Sequence, residues 1–492
     1  MSPALFLRLD PLAGLAVALS PERSWELLRL FWPALALTGA TLLVGRFFCG
    51  WLCPLGTVLD VTDPLVGRRR AASSNGTPQQ SRQECRAYPG ARPEPRRPAW
   101  LKYAILALVL GAALFGAQAL LLLDPLCIVT RTLATVVRPA LLTAYNGSLA
   151  ATEPLRDQLL LRVDPVPVEV FRLNLLVGAA FAGLVVLGRL GPRFWCRNLC
   201  PLGALLGLLG RYGLWRRVVG EGCTSCRGCA AACKMDAIPA AEPCRTRQAE
   251  CIQCYDCVGC CRPATTRVRL AADRVGLDAE VDLGRRQFLG TVGVGAVAGL
   301  LTISGWGRRP WHDRLIRPPG AIVRDPQGGF LRLMSEGEFR AKCLRCGQCL
   351  KACPTGGLQP AVAEAGLDGF YTPVLVPKAG WCEQNCAACG AVCPGGALIP
   401  FRIEEKPEIR IGLATITRDK CLAWREGNEY AQCTVCKEYC SYDAITLRPV
   451  AGHDRPVVVD HKCVGCGICE SACPVKPEAA IVVHRRGTPD EL

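Results

Sequence analysis

Cys223-Thr-Ser-Cys226-Arg-Gly-Cys229-Ala-Ala-Ala-Cys233 decides the reading of this chain, because Cys251, Cys254, Cys257 and Cys261 repeat its C-x2-C-x2-C-x3-C spacing 28 residues later. The same spacing returns at Cys343, Cys346, Cys349 and Cys353, followed by Pro354, and at Cys463, Cys466, Cys469 and Cys473, followed by Pro474. Two variants lie between these last two: Cys382, Cys386, Cys389 and Cys393 with Pro394, and Cys421, Cys433, Cys436 and Cys440, whose first ligand is set well ahead. Three thiolates on a tight loop reach three irons of one [4Fe-4S] cube, while the fourth is directed to a neighbouring cube. The spacing therefore predicts six [4Fe-4S] clusters. Cys261 is expected to complete the set of Cys223, Cys226 and Cys229, and Cys233 that of Cys251, Cys254 and Cys257.

Thirty-two cysteines leave disulfides, zinc, haem attachment or iron-sulfur ligation as explanations. Zinc sites pair two C-x2-C units over a longer gap and often add histidine. The four histidines, His312, His453, His461 and His484, follow no C-x-x-C, so covalent haem is excluded. No apolar run contains a histidine either, which argues against haem b held between helices. Cys85, Cys127, Cys244 and Cys260 match no motif and read as incidental.

Mean hydropathy is +0.22 although 20% of the residues are charged, so the apolar residues are concentrated in blocks. Leu27 to Val44, Leu101 to Leu123 and Leu173 to Leu187 each approach the ~20 residues that a helix needs to cross ~30 Å of hydrocarbon. Gly290 to Ile303 is a marginal fourth run. Met1 to Leu19 is broken by Arg8, Asp10 and Pro11 and reads as interfacial or re-entrant. Trp25, Trp51, Trp100, Trp195, Trp215, Trp306 and Trp311 lie near the ends of these runs, where an indole sits at the headgroup boundary. The net charge of +16 does not require a nucleic-acid partner. Six oxidised clusters, at about −2 each with their thiolates, would offset roughly 12 of those charges.

The membrane half contains a loose repeat. Asp10-Pro11-Leu12 precedes a run ending at Cys49-Gly-Trp-Leu-Cys53-Pro54-Leu55-Gly56, and Asp124-Pro125-Leu126 precedes one ending at Cys196-Arg-Asn-Leu-Cys200-Pro201-Leu202-Gly203. Two like-facing copies would make a pseudo-symmetric bundle with both C-x3-C-P pairs at one membrane face. On a helix, Cys49 with Cys53 and Cys196 with Cys200 would share a face, which suggests a redox or metal role. The loop Gly67 to Arg97, with Arg68, Arg69, Arg70, Arg96 and Arg97, reads as disordered and cytoplasmic. The loop Cys127 to Arg162 is less basic and reads as outside. Gly284-Arg285-Arg286-Gln287-Phe288-Leu289-Gly290 ahead of an apolar run reads as a twin-arginine export signal retained as an anchor, since a domain loaded with clusters must cross already folded.

The first ~275 residues resemble the NapH-type membrane ferredoxin of periplasmic nitrate reductase systems, and share Cys49, Cys53, Pro54, Cys196, Cys200 and Pro201 with NosR-type proteins. From Arg285 onward the chain resembles the NapG and MauM-type four-cluster ferredoxins. The resemblance implies quinol oxidation in the membrane and electron delivery to a soluble periplasmic cytochrome or reductase. It also implies that in the last domain the outer motifs pair with each other and the inner motifs likewise.

The expected class is α+β. Residues 1–215 form a transmembrane helical domain, 216–275 a two-cluster ferredoxin domain, 284–308 a Tat-like anchor helix and 318–492 a four-cluster polyferredoxin domain. The protein would be multi-pass in a bacterial cytoplasmic membrane, with its partners the lipid bilayer, the quinol pool and the soluble acceptor. Its two-cluster domain would be cytoplasmic and its four-cluster domain periplasmic. Two rival readings are a copper-handling redox protein that uses the C-x3-C-P pairs, and a passive relay whose quinol is oxidised by another subunit.

Overall fold

The computed structural model describes residues 3–21, 29–66, 100–158, 163–261, 264–271, 289–290, 292–297, 300, 315–325, 327–425, 432–450 and 452–486. The basic loop with Arg68, Arg69, Arg70, Arg96 and Arg97, and the pair Arg285 and Arg286 of the export signal, lie outside the described residues, as do Cys85 and Phe288. The chain divides into two compact units.

The first unit comprises Met1–Phe115, Leu120–Val129 and Ala179–Leu300. Its N-terminal stretch is two short helices, Pro3–Arg8 and Pro11–Leu19, broken where the sequence places Asp10 and Pro11. Asp10 caps the second helix by accepting from the Leu12 amide at 2.8 Å, which satisfies one of the four N–H groups that every helix start leaves open. Trp32–Val44, Phe47–Trp51 and Pro54–Val66 follow. The second repeat matches them with Asn174–Val186, Phe194–Asn198 and Pro201–Gly210. Pro201–Gly210 packs on Trp100–Ala113 and on Trp32–Val44. Beyond the helices, β1 (Trp215–Val219) pairs antiparallel with β2 (Thr266–Leu270) and closes a small domain around the first two cysteine motifs.

The three apolar runs do not form the full-length spans that their composition suggests. They fold as helices of 13, 14 and 13 residues, shorter than a bilayer requires. The first helix begins only at Trp32, after a break at Phe31, and Gly116 at φ +74° turns the chain inside the second run, just past its helix. Among the described residues only Pro125–Ala151, 27 residues long, is long and apolar enough to cross a membrane. That stretch lies inside the segment expected to be a loop. Its helix runs through one π-turn at Leu133–Val137.

The second unit comprises Gly116–Ala119, Thr130–Gly178 and Leu301–Leu492. Its described residues include four two-stranded antiparallel sheets: β3 (Ile322–Arg324) with β4 (Phe330–Leu333), β5 (Leu358–Pro360) with β6 (Pro373–Leu375), β7 (Gly412–Ile416) with β10 (Ile481–Arg485), and β8 (Ile445–Val450) with β9 (His453–Val458). The pairing of β7 with β10 ties the ends of the last two cysteine motifs together, as β1 and β2 do in the first unit. Leu315, Ala361, Ala365 and Val374 form one buried apolar cluster, and buried cysteines such as Cys343, Cys346, Cys353, Cys389, Cys463, Cys469 and Cys473 stand among the other buried apolar side chains. The segment before residue 178 packs onto this domain. Thr135 Oγ1 lies 3.2 Å from the Tyr371 hydroxyl, Arg131 stacks over the Tyr371 ring, and the Gln359 side chain accepts from the Arg172 amide at 3.0 Å.

Candidate iron-sulfur sites

Each regular motif wraps its second cysteine between two residues in left-handed backbone: Ser225 and Arg227, Gln253 and Tyr255, Arg345 and Gly347, Gly465 and Gly467. Left-handed backbone costs a non-glycine residue about 1–2 kcal/mol, and such strain clusters where a site imposes it. Here it curls the loop so that successive thiols face one centre.

Five cavities are each lined by four cysteines, and in each the fourth comes from a different motif than the other three. Cys233 joins Cys251, Cys254 and Cys257. In the second unit Cys393 joins Cys343, Cys346 and Cys349, while Cys353 joins Cys382, Cys386 and Cys389. Likewise Cys473 joins Cys421, Cys433 and Cys436, and Cys440 joins Cys463, Cys466 and Cys469. The motifs therefore exchange ligands with their sequence neighbours, first with second and third with fourth. This corrects the expectation of outer and inner pairs. The physical reason is strand closure, since the β7–β10 pair brackets the third and fourth motifs alone.

Four of these five fourth cysteines share a further feature, a sulfur that accepts a backbone amide a few residues on, while Cys353 Sγ lies 3.4 Å from Thr355 Oγ1. Ala237 donates to Cys233 at 3.2 Å, Leu398 to Cys393 at 3.4 Å, Ala444 to Cys440 at 3.3 Å and Ala480 to Cys473 at 3.4 Å. Hydrogen bonds to cluster sulfurs stabilise the reduced state and are a main control on potential. Burial pushes the thiols of Cys346, Cys389, Cys436 and Cys466 up to about 12. They would ionise at neutral pH only beside a strong positive charge, which iron supplies.

The remaining set is more open. Cys226 is exposed, and Cys229 Sγ accepts from the Arg217 guanidinium at 3.2 Å. Partial burial would raise the Cys261 thiol, but hydrogen bonds from Thr266 and Thr265 bring it down to about 7. Cys244, which matches no motif, lies beside this set with its sulfur 3.4 Å from Cys223 Sγ.

Among the described residues no three His, Cys, Asp or Glu converge closely enough for a single metal ion. The cysteines instead surround cluster-sized space. In the second unit the sites also form a series. The Cys382 amide donates to the Cys466 carbonyl at 2.8 Å, joining the Cys353/Cys382 site to the Cys440/Cys463 site. The ligand exchange links the outer two to these, and Tyr371 lines the first cavity beside Thr135 and Arg131.

The C-x3-C-P pairs do not sit on one helix each. Cys49 and Cys196 lie on the short helices Phe47–Trp51 and Phe194–Asn198, and the helix breaks before Cys53 and Cys200. Cys200 then caps Pro201–Gly210 by accepting from the Gly203 amide at 3.2 Å.

Comparison with known proteins gives the same chemistry. A 4Fe-4S binding domain family matches residues 27–72 and 173–219, and a 4Fe-4S dicluster domain family matches 431–476. The ferredoxin-type protein NapG of Escherichia coli is 35% identical over 216 residues, covering 41% of this chain and 85% of NapG. The methylamine utilization ferredoxin-type protein MauM of Paracoccus denitrificans is 33% identical over 222 residues, covering 42% of this chain and 87% of MauM. The ferredoxin-type protein NapF of Escherichia coli is 29% identical over 163 residues, covering 33% and 86%. No solved structure matches the chain.

Proposed function

The chain belongs to the family of ferredoxin-type proteins that includes NapG and MauM, and from that premise we propose that it passes electrons from quinol through six [4Fe-4S] clusters to a soluble redox partner. It is an iron-sulfur electron-transfer protein of the ferredoxin type. The observation that carries the relay is the exchange of the fourth cysteine, because a ligand shared between motifs holds neighbouring cubes close.

In the second unit the order is the Cys343 site, the Cys353/Cys382 site, the Cys440/Cys463 site and the Cys421/Cys473 site. Electrons would enter at the first, where Tyr371 meets the helix Pro125–Ala151, and leave at the last. That helix is the natural membrane anchor by length and composition. Attached to it, the four-cluster domain would face the outer side, and the acceptor would be a periplasmic cytochrome or reductase.

The test is electron paramagnetic resonance of the anaerobically prepared protein titrated with a menaquinol analogue. Cluster signals that grow with quinol support intrinsic quinol oxidation. Full iron and sulfide content with no response to quinol would overturn that step and leave a relay fed by another subunit.

A further inference from the structure

We propose that Cys49, Cys53, Cys196 and Cys200 together hold one additional iron-sulfur cluster, placed across the internal repeat of the first unit. This rests on reading the chain as an iron-sulfur relay and adds a centre to it. The two stretches that match the 4Fe-4S binding domain family hold only two cysteines each within their helical repeats, which is half a ligand set. The structure ties the halves together: a Cβ on Gly56, beside Cys53, would stand 3.0 Å from the Cys49 carbonyl and 3.4 Å from Nη1 of Arg193, which lies three residues ahead of Cys196.

The repeat extends further than the cysteines. Arg46-Phe47-Phe48-Cys49 corresponds to Arg193-Phe194-Trp195-Cys196, and both arginines are buried. They are used crosswise. Arg193 reaches the first copy, donating to the Cys49 carbonyl and to Asp60, each at 2.8 Å. Arg46 reaches the second copy, with Nη2 3.0 Å from where a Cβ on Gly203 would sit, beside Cys200 Sγ. Arg193 is itself held in left-handed backbone at φ +47°, a strain that its position at the site explains.

Arg46 points to what is bound. It has no exposed surface, and its Nη1 is spent on the Ala249 carbonyl and Glu250. Its Nε and Nη2 have no acceptor. Lys102, also fully buried, shares the same Glu250 carboxylate, so two cations face one anion. Buried charged donors need an acceptor, and a thiolate-ligated cluster carrying about −2 supplies both acceptor and charge. Its place in the relay follows from contact. A Cβ on Gly50, between Cys49 and Cys53, would stand 2.3 Å from the Ile252 carbonyl, and Trp51 Nε1 donates to the Gln253 carbonyl at 2.8 Å. The site therefore abuts the loop that carries Cys251 and Cys254.

The experiment is iron, acid-labile sulfide and copper content of the full-length protein, purified anaerobically, beside the double variant Cys49→Ser, Cys196→Ser. About 28 iron atoms per wild-type chain, falling by about four in the variant while the ferredoxin signals persist, is the expected result. A wild-type value near 24 that the variant leaves unchanged would overturn the added centre and leave the six-cluster relay standing. Stoichiometric copper lost in the variant would also overturn it. A lower wild-type value that still falls by about four supports the added centre and shows instead that the ferredoxin count is too high. Where the double variant does not accumulate, the wild-type value decides, since about 28 and about 24 are separable.

Discussion

Gly465 and Gly347 flank the second cysteine of their motifs, both in left-handed backbone, at φ +78° and φ +75°. Replacing either with alanine costs about 1–2 kcal/mol for that conformation alone. Their surroundings then separate them. A Cβ on Gly347 would meet nothing nearer than 3.8 Å, so Gly347→Ala should cost only the conformational term. A Cβ on Gly465 would stand 2.4 Å from the Gly412 backbone, at the start of β7. Backbone cannot rotate away as a side chain can, so the strand or the cluster loop must move. Overpacking of this kind adds about 1–3 kcal/mol, giving roughly 2–5 kcal/mol for Gly465→Ala. Denaturant unfolding followed by cluster absorbance, with iron content measured on the same samples, reads the difference. The expected outcome is near-normal iron for Gly347→Ala, and for Gly465→Ala a lowered midpoint with loss of the cluster held by Cys440, Cys463, Cys466 and Cys469. Equal midpoints for the two variants would refute the argument that backbone contact, rather than conformation, sets the cost.

Other expectations follow from the same geometry. Cys393→Ala should expose Cys343, Cys346 and Cys349 to alkylation while Cys382, Cys386 and Cys389 stay protected, and mass spectrometry that finds the reverse would sink the exchanged pairing. Arg217→Gln removes a hydrogen bond to Cys229 Sγ, so one cluster midpoint should move to lower potential in a redox titration, and an upward shift would contradict the assignment. Although burial alone would raise it, Arg332 and the Ser335 amide hold the Glu338 carboxyl down at about 2. Its contribution is therefore complete above an unfolded value near 4.5 and is lost as pH falls through about 2. The gap in unfolding midpoint between wild type and Glu338→Gln should be widest near neutral pH and close over that window, and a gap constant with pH would show that the pairing is not its source. Ser335→Ala, which removes the cap of the same helix, should cost about 1 kcal/mol by the same assay.

Much of the site was legible because iron-sulfur loops are local. Three cysteines within seven residues fix three ligands and the turn that presents them. β6, β9 and β10 likewise fall on short apolar pieces that the sequence shows around Thr372, Val457 and Ile481. The source of the fourth ligand was not readable in the last domain, because it depends on which distant strands pair, and residues 412–416 meeting 481–485 leave no mark on the motif spacing. Span length failed for a related reason. Hydropathy registers a run of apolar residues, but a single left-handed Gly116 inside the run Leu101 to Leu123 turns the chain without lowering that average. Cys244 reads as incidental in the sequence because it belongs to no motif, and it meets Cys223 only through the fold of the loop between them. Arg46 and Arg193 could have been found, since each stands three residues before its cysteine in both copies of the repeat.

The exchanged fourth cysteine also constrains how the protein is made. While the ribosome is still extending the chain, the loop of Cys343, Cys346 and Cys349 can offer a nascent cube only three thiolates until Cys393 has emerged, and the loop around Cys433 and Cys436 waits in the same way for Cys473. Maturation must then proceed in pairs rather than one cube at a time, and a chain stalled between partners would carry open cubes with iron exposed to solvent and oxygen. Such half-built products are the ones that a quality-control protease could tell from finished protein, by the reactivity of an incomplete metal centre rather than by any unfolded segment.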